Sequence, residues 1–201
     1  MKNQSDNSYQ SQVKQADTSG ASIWYQHNAD EDKVFTKAVA TTVAAKNQIK
    51  TIYSLMRFLE SKNQIQRYGE KNIGGFEDVS STNEKIKTVI RDDSDNDTSV
   101  ETAGKEGDLR IWYAHLFNKP ELFYSSVENP CDAAAQLLAI YDLMLFLYEN
   151  NQINDYCNAG GLEVYESDGE GGFEWCEWCS EDGLDIGEIL ALTYSRHFRQ
   201  A

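Results

Sequence analysis

The chain has 201 residues, with 18 Lys/Arg against 33 Asp/Glu, a formal net charge of -15 at pH 7 and a sequence pI near 4.5. That balance excludes a protein that grips nucleic acid through a broad basic face, because neutralising phosphates takes clustered Lys and Arg. With 40% hydrophobic residues the chain can bury the core of one domain or two small ones, so full disorder is excluded as well.

Residues 1–21 are polar and lack the apolar stretch of a secretory signal, so this segment reads as a disordered lead-in. Four cysteines, Cys131, Cys157, Cys176 and Cys179, then read as reduced thiols, which points to the cytoplasm.

From Ile23 onward the chain repeats itself. Ile23-Trp24-Tyr25-x-His27 returns 88 positions later as Ile111-Trp112-Tyr113-x-His115, and the register persists. Ile52-Tyr53-x-Leu55-Met56-x-Phe58-Leu59 meets Ile140-Tyr141-x-Leu143-Met144-x-Phe146-Leu147, and Asn63-Gln64-Ile65 meets Asn151-Gln152-Ile153. Over 47 ungapped positions 18 are identical, where unrelated segments would share roughly three at ordinary residue frequencies. The domain plan that follows is a polar segment 1–21, a first repeat 22–91, an acidic polar linker 92–108 and a second repeat 109–201.

Each copy is expected to hold a short helix, Lys33–Ala40 and Pro120–Val127, then a longer one, Val43–Ser61 and Cys131–Glu149. Pro130 stands where Thr42 stands in the first copy, and proline suits the first turn of a helix and no later position. Ile49, Ile52, Tyr53, Met56 and Leu59 recur at steps of three and four, the mark of one buried helical face. The second long helix is apolar nearly all round, so it is expected at the centre of the fold with its counterpart more peripheral. Its most apolar part, Ala133–Tyr148, is interrupted by Gln136 and Asp142 and falls short of the roughly 20 residues a bilayer crossing takes.

Beyond each long helix comes a glycine pair, Gly74-Gly75 and Gly160-Gly161. Leu162–Tyr165 and Phe173–Trp178, joined by a glycine-rich connection, predict a β-hairpin. A closing helix is expected in each copy behind the capping patterns Ser81-x-x-Glu84 and Asp185-x-x-Glu188. The fold class is therefore α+β and mainly helical, two degenerate internal repeats related by approximate two-fold symmetry, with a short β-hairpin in the second.

The duplication also divides the charge. Residues 1–91 carry 13 Lys/Arg and 10 Asp/Glu; residues 92–201 carry 5 and 23, a net of -18. Within Glu163–Glu188 stand ten acids and no Lys or Arg, a concentration whose self-repulsion costs stability unless it serves a purpose. A face of spaced carboxylates with interleaved tryptophans suits a basic protein surface, imitating phosphate rows while anchoring through aromatics. The expected partner-binding residues are Glu163, Glu166, Asp168, Glu170, Glu174, Trp175, Glu177, Trp178, Glu181 and Asp182.

Three other constellations are weaker. Glu166 to Glu177 places acids at positions 1, 3, 5, 9 and 12 and glycine at 6 of an EF-hand-like loop, but the flanks do not read as helices and glutamate replaces aspartate at positions 1 and 5. Cys176-x-x-Cys179 has half of a zinc pattern and no second half, and on a strand the two sulfurs would face opposite ways. His27 and His115 follow equivalent aromatic pairs without an accompanying nucleophile, so they read as buried, hydrogen-bonded side chains. No phosphate-binding glycine loop, dinucleotide fingerprint, nucleophile elbow or zinc-protease motif is present.

Small size, strong acidity and missing catalytic motifs are shared with phage and mobile-element inhibitors that mimic DNA, such as anti-restriction and anti-CRISPR proteins. The likeness is one of composition. It implies a non-enzymatic inhibitor covering the nucleic-acid-binding surface of a nuclease or defence complex, without a cofactor, with a basic protein as partner and no direct contact to nucleic acid or membrane, as monomer or homodimer. An immunity protein against a basic nuclease toxin fits the same residues. A calcium- or zinc-binding regulator or a histidine-dependent enzyme is the rival of a different class.

Overall fold

In the computed structural model, residues 21–27, 33–65, 73–79, 85–90, 104–116, 118 and 121–197 are described. Residues 1–20 of the lead-in, most of the linker and the Ser81-x-x-Glu84 pattern lie outside them, while Ala21, counted with the lead-in, is a buried residue that opens the first strand. Two copies of one β-β-α-β-β succession follow each other: β1 (Ala21–Gln26), β2 (Phe35–Val39), α1 (Thr42–Ser61), β3 (Ile73–Val79) and β4 (Lys85–Ile90), then β5 (Leu109–Ala114), β6 (Phe123–Val127), α2 (Pro130–Glu149), β7 (Ala159–Ser167) and β8 (Phe173–Glu177). A last helix, α3 (Ile186–His197), closes the second copy. The first three elements of each copy sit 88 positions apart.

The expectation of a mainly helical fold is overturned. Two four-stranded antiparallel sheets, ordered β2-β1-β3-β4 and β6-β5-β7-β8, stand beside three helices among the described residues. The segments expected as short helices contain β2 and β6 instead. Phe-Thr-Lys-Ala-Val and Phe-Tyr-Ser-Ser-Val are rich in aromatic and β-branched side chains, and five residues satisfy their backbone better by pairing with β1 and β5 than by an isolated helical turn. In the first copy Lys85–Ile90 is likewise a strand, paired with β3, and not a closing helix.

By contact the chain divides into two units, residues 1–50 with 68–93, and residues 51–67 with 94–201. In the first, Ile23, Tyr25, Phe35, Ala45 and Ile49 are buried. Gly74 permits the close approach there: a Cβ on it would fall 3.0 Å from Ile49 Cδ1 and 3.1 Å from Tyr25 Cδ2.

The second unit holds the far half of α1 together with α2, α3 and the second sheet. Ile52, Leu55, Met56, Leu59, Leu137, Ile140, Leu143, Met144 and Leu147 are all fully buried. The Phe58 ring packs on Phe123 at 5.8 Å between centroids. Thr51 donates its hydroxyl hydrogen to Gln136 Oε1 at 2.6 Å, and Gln136 Nε2 donates to Asp132 Oδ2 at 2.9 Å, so these buried polar groups are hydrogen-bonded to one another and on to Asp132. The expected contrast between a central α2 and a peripheral α1 is not seen in their burial: both bury residues along their length, and each exposes apolar side chains, Val43 of α1 and Leu145 and Tyr148 of α2. α2 is long and apolar enough to cross a membrane by length and composition, yet eight of its residues are buried within the protein.

Both long helices start and stop by the same devices. The Ala44 N–H donates to Thr41 Oγ1 at 3.1 Å and the Asp132 N–H to Asn129 Oδ1 at 2.9 Å, with Pro130 in the first turn as its ring geometry favours. At the far ends Asn63 and Asn151 take left-handed backbones with φ of 52° and 56°. This lets the next residue, Gln64 or Gln152, donate its N–H back to Leu59 or Leu147, each at 2.8 Å.

Candidate functional site: the acidic hairpin and its aromatic face

Alternation along the strands gives the second sheet two different faces. Ile111, Tyr113, Phe123 and Leu162 are buried. Gly160 lies on that side, where a Cβ would fall 2.9 Å from Leu137 Cδ2 and 2.8 Å from the Tyr141 hydroxyl, so its lack of a side chain lets α2 sit on β7. Burial pushes the Tyr113 hydroxyl far above the usual phenol range and Tyr141 up to about 12, with Cys157 adding to both. The opposite face carries Arg110, Trp112, Tyr124, Glu163, Tyr165, Phe173, Trp175 and Glu177, a register in which Arg110 pairs with Glu163 and Tyr165 with Trp175.

Arg110 organises this face. Its guanidinium carbon lies 4.0 Å from the Tyr124 ring centroid and 4.0 Å from that of Trp175, and its Nε donates to Glu163 Oε2 at 2.6 Å. Both side chains of the ion pair are largely buried, at 12% and 20% exposure, so the pair is screened less than a surface one. Tyr165 continues the aromatic row, with Trp175 at 5.2 Å and Phe173 at 5.9 Å. Gly104 lies against this row: a Cβ there would fall 2.7 Å from Tyr165 Cγ and 2.9 Å from Trp175 Cζ2. The segment is held by the Gly107 N–H donating to the Tyr165 carbonyl and the Tyr165 N–H to the Asp108 carbonyl, both at 2.9 Å.

The ten expected binding residues are therefore not one uniform set. Glu163 is engaged by Arg110, and Trp175 is the other wall of that arginine's slot. Asp168 builds the hairpin turn: its Oδ1 accepts from the N–H of Glu170 at 2.8 Å and of Gly172 at 2.9 Å. Glu166 and Glu174 are exposed, directly opposite each other. Partial burial, together with the Glu166, Glu174 and Asp168 carboxylates, raises the Cys176 thiol between them. Glu170, Glu177, Glu181 and Asp182 are exposed, and Trp178 is half-buried where its N–H donates to the Leu162 carbonyl at 2.9 Å. The helix start at Asp185 forms as its pattern predicts: the Glu188 N–H donates to Asp185 Oδ1 at 2.7 Å and the Asp185 N–H to Glu188 Oε2 at 3.1 Å.

Sequence reading missed Arg110, Trp112, Tyr124 and Tyr165. The signal was there: Leu109–Ala114 and Phe123–Val127 are strand-forming, and reading them as strands brings Arg110 and Trp112 to one face.

The rival sites take their places accordingly. The EF-hand-like acids lie on a hairpin, flanked by strands and not helices. Cys176 is half-buried on β8 and Cys179 exposed just past its end. His27 and His115 are buried at the ends of β1 and β5. Among the described residues no group of three or more His, Cys, Asp or Glu side chains is placed to hold a metal ion.

The chain is thus a tandem of two β-β-α-β-β units, the second displaying an acidic hairpin beside an aromatic sheet face. A family model described as superinfection exclusion gene product 17 matches residues 108–196, the second repeat, a likeness that suggests a phage-encoded chain. No curated protein and no solved structure matches.

Proposed function

We propose that the protein is a phage-encoded, non-enzymatic inhibitor that acts in the cytoplasm of a host cell by binding a basic protein surface with the acidic face of its second repeat, and so excludes a superinfecting phage. The observation that carries the reading is a coincidence of place: residues 108–196, similar to a superinfection exclusion family, are the ones that concentrate the negative charge. Glu166, Glu170, Glu174, Glu181 and Asp182 are exposed where a cationic surface can reach them, and the turn built by Asp168 holds the strand ends together. Such a field speeds association with a basic partner and selects against acidic ones. A nuclease or defence complex that handles nucleic acid presents the matching surface, which makes mimicry of a phosphate row the specific form of the proposal.

The test is phage plating on cells that express the full chain, beside cells that express the variant Glu166→Gln, Asp168→Asn, Glu170→Gln, Glu174→Gln. Asn at 168 keeps the oxygen that the turn needs. Wild-type chain is expected to lower the plating of a superinfecting phage and the variant to restore it at equal soluble expression. Equal exclusion by both would reject the role of the hairpin, and no exclusion by the wild type would reject the function.

A further inference from the structure

The two repeats differ at one point that makes a recess. Trp24 pairs with Gly75 in the first sheet, and Trp112 pairs with Gly161 in the second. In the first, β4 runs past the glycines, pairing Val89 with Gly75 and Ile90 with Gly74. In the second, β8 ends at Glu177 opposite Glu163, and the chain turns away through residues 178–185 to start α3. Ala159–Gly161 of β7 therefore reach beyond the last β8 partner, and a pocket opens there. Trp112, Gly160, Gly161, Glu177, Trp178 and Asp185 line it, and Ile186 and Gly187 of α3 close one side.

Gly161 is a requirement of this recess. The Trp112 indole lies over it so closely that a Cβ would meet indole Nε1 and fall 2.7 Å from Cε2. The recess thus presents two half-buried tryptophans and two carboxylates, with no Lys or Arg among the residues that line it. The α3 N-terminus at Ile186 would by itself favour an anion, but two carboxylates already stand there, Asp185 accepting from the Glu188 N–H and Glu188 from the Asp185 N–H. The remaining chemistry is that of a cation site: indole faces attract an ammonium or guanidinium, and nearby carboxylates add charge in a partly desolvated setting. The same sheet face displays a filled example, since Arg110 lies between Tyr124 and Trp175 against Glu163.

We propose that the recess between Trp112 and Trp178 receives one Lys or Arg side chain of the basic partner, fixing where that partner lies along the acidic hairpin; the recess opens on the face of Glu163 and Glu177, while Glu166 and Glu174 alternate to the other. This rests on the reading above and deepens it, because the hairpin field supplies attraction without register whereas a lined recess accepts one side chain in one place.

The experiment uses the full chain labelled with ¹⁵N at its tryptophan indoles, titrated separately with the terminally blocked amides of arginine, lysine, norleucine and glutamate. The arginine and lysine probes are expected to give saturable shifts of the Trp112 and Trp178 indole signals, with Trp24 unmoved. The variant Glu177→Gln, Asp185→Asn should weaken that binding by about fivefold or more, in keeping with the loss of charge beside a cation–π site. Trp178→Ala should remove it, and Gly161→Ala should do the same by displacing Trp112. An unmoved Trp24 signal and the wild-type circular dichroism spectrum check that each variant is folded. Equal binding of the norleucine probe, no shift with any probe, or unchanged titration in folded Trp178→Ala would overturn the proposal. Because no partner is needed, failure here leaves the hairpin reading standing. Loss of exclusion in the hairpin variant with an intact arginine titration separates the two in the other direction.

Discussion

Glu166 stands directly opposite Glu174 across the β7–β8 hairpin, both exposed, so two like charges share a cross-strand position with no cation between them on the paired strands. Such an arrangement is destabilising. Glu163 and Glu177 form a second opposed pair, but there Arg110 neutralises one member. Replacing Glu174 by Gln should therefore stabilise the second unit by about 0.5 kcal/mol, with the gain shrinking as salt rises. Chemical denaturation at low and high ionic strength reads this directly, and a loss of stability at low salt would contradict the repulsion argument. The same substitution should weaken exclusion, since stability is given up at this position for a charged surface.

Arg110→Ala should cost about 1–3 kcal/mol, more than an exposed ion pair, because it removes a guanidinium stacked on two rings and leaves Glu163 facing Glu177 uncompensated. Arg110→Lys keeps the charge but lacks the flat group that fills the slot, and should recover less than half of that loss. Urea unfolding of the three proteins ranks them, and equal stability of the alanine and wild-type chains would refute the organising role of Arg110.

Asn151 takes a φ of 56° at the end of α2, and Asn63 one of 52° at the end of α1. Asn151→Ala should destabilise by about 1 kcal/mol, because a Cβ without a local hydrogen-bonding group is strained in the left-handed region, whereas Asn151→Gly should be close to neutral. Thermal unfolding of the pair decides it: if alanine is tolerated as well as glycine, the backbone geometry is not what holds Asn at this position.

Tyr141 in the folded chain titrates only near 12, and Tyr113 is raised further, both mainly by burial. An unfolded tyrosine releases its proton near 10. The folded state therefore binds more protons above that pH, and stability is fully present below about pH 10 and is lost as pH rises toward 12. Tyrosinate absorbance should rise together with the loss of ellipticity. A smooth titration of all tyrosines near pH 10 with the fold intact would contradict the burial of this pair.

The repeat shows what the sequence carried and what it did not. The residues identical in the two copies are mostly the buried ones: Ile23 and Ile111, Tyr25 and Tyr113, Phe35 and Phe123, Leu55 and Leu143, Met56 and Met144. Their periodicity marked α1 and α2 to within a residue because a helix face must match a fixed three-and-four spacing. The shared Asn63 and Asn151 add a backbone reason for identity at an exposed helix end. The short strands β2 and β6 were misread because five residues carry too little periodicity to separate helix from strand, and the partner that decides, β1 or β5, is fixed by tertiary pairing. The acidic hairpin was legible from its glycines and alternation. The Arg110 slot and the Trp112–Trp178 recess were not, since both depend on where β8 ends relative to β7.

Binding of a basic protein by the acidic second repeat is read from what the tagged full chain retains from infected host cells as salt is raised, beside the hairpin variant with its four carboxylates neutralised. One basic protein is expected to be held at low salt, released as salt screens the interface, and absent from the variant at every salt concentration. Retention of the same protein by both chains, unchanged by salt, would contradict it.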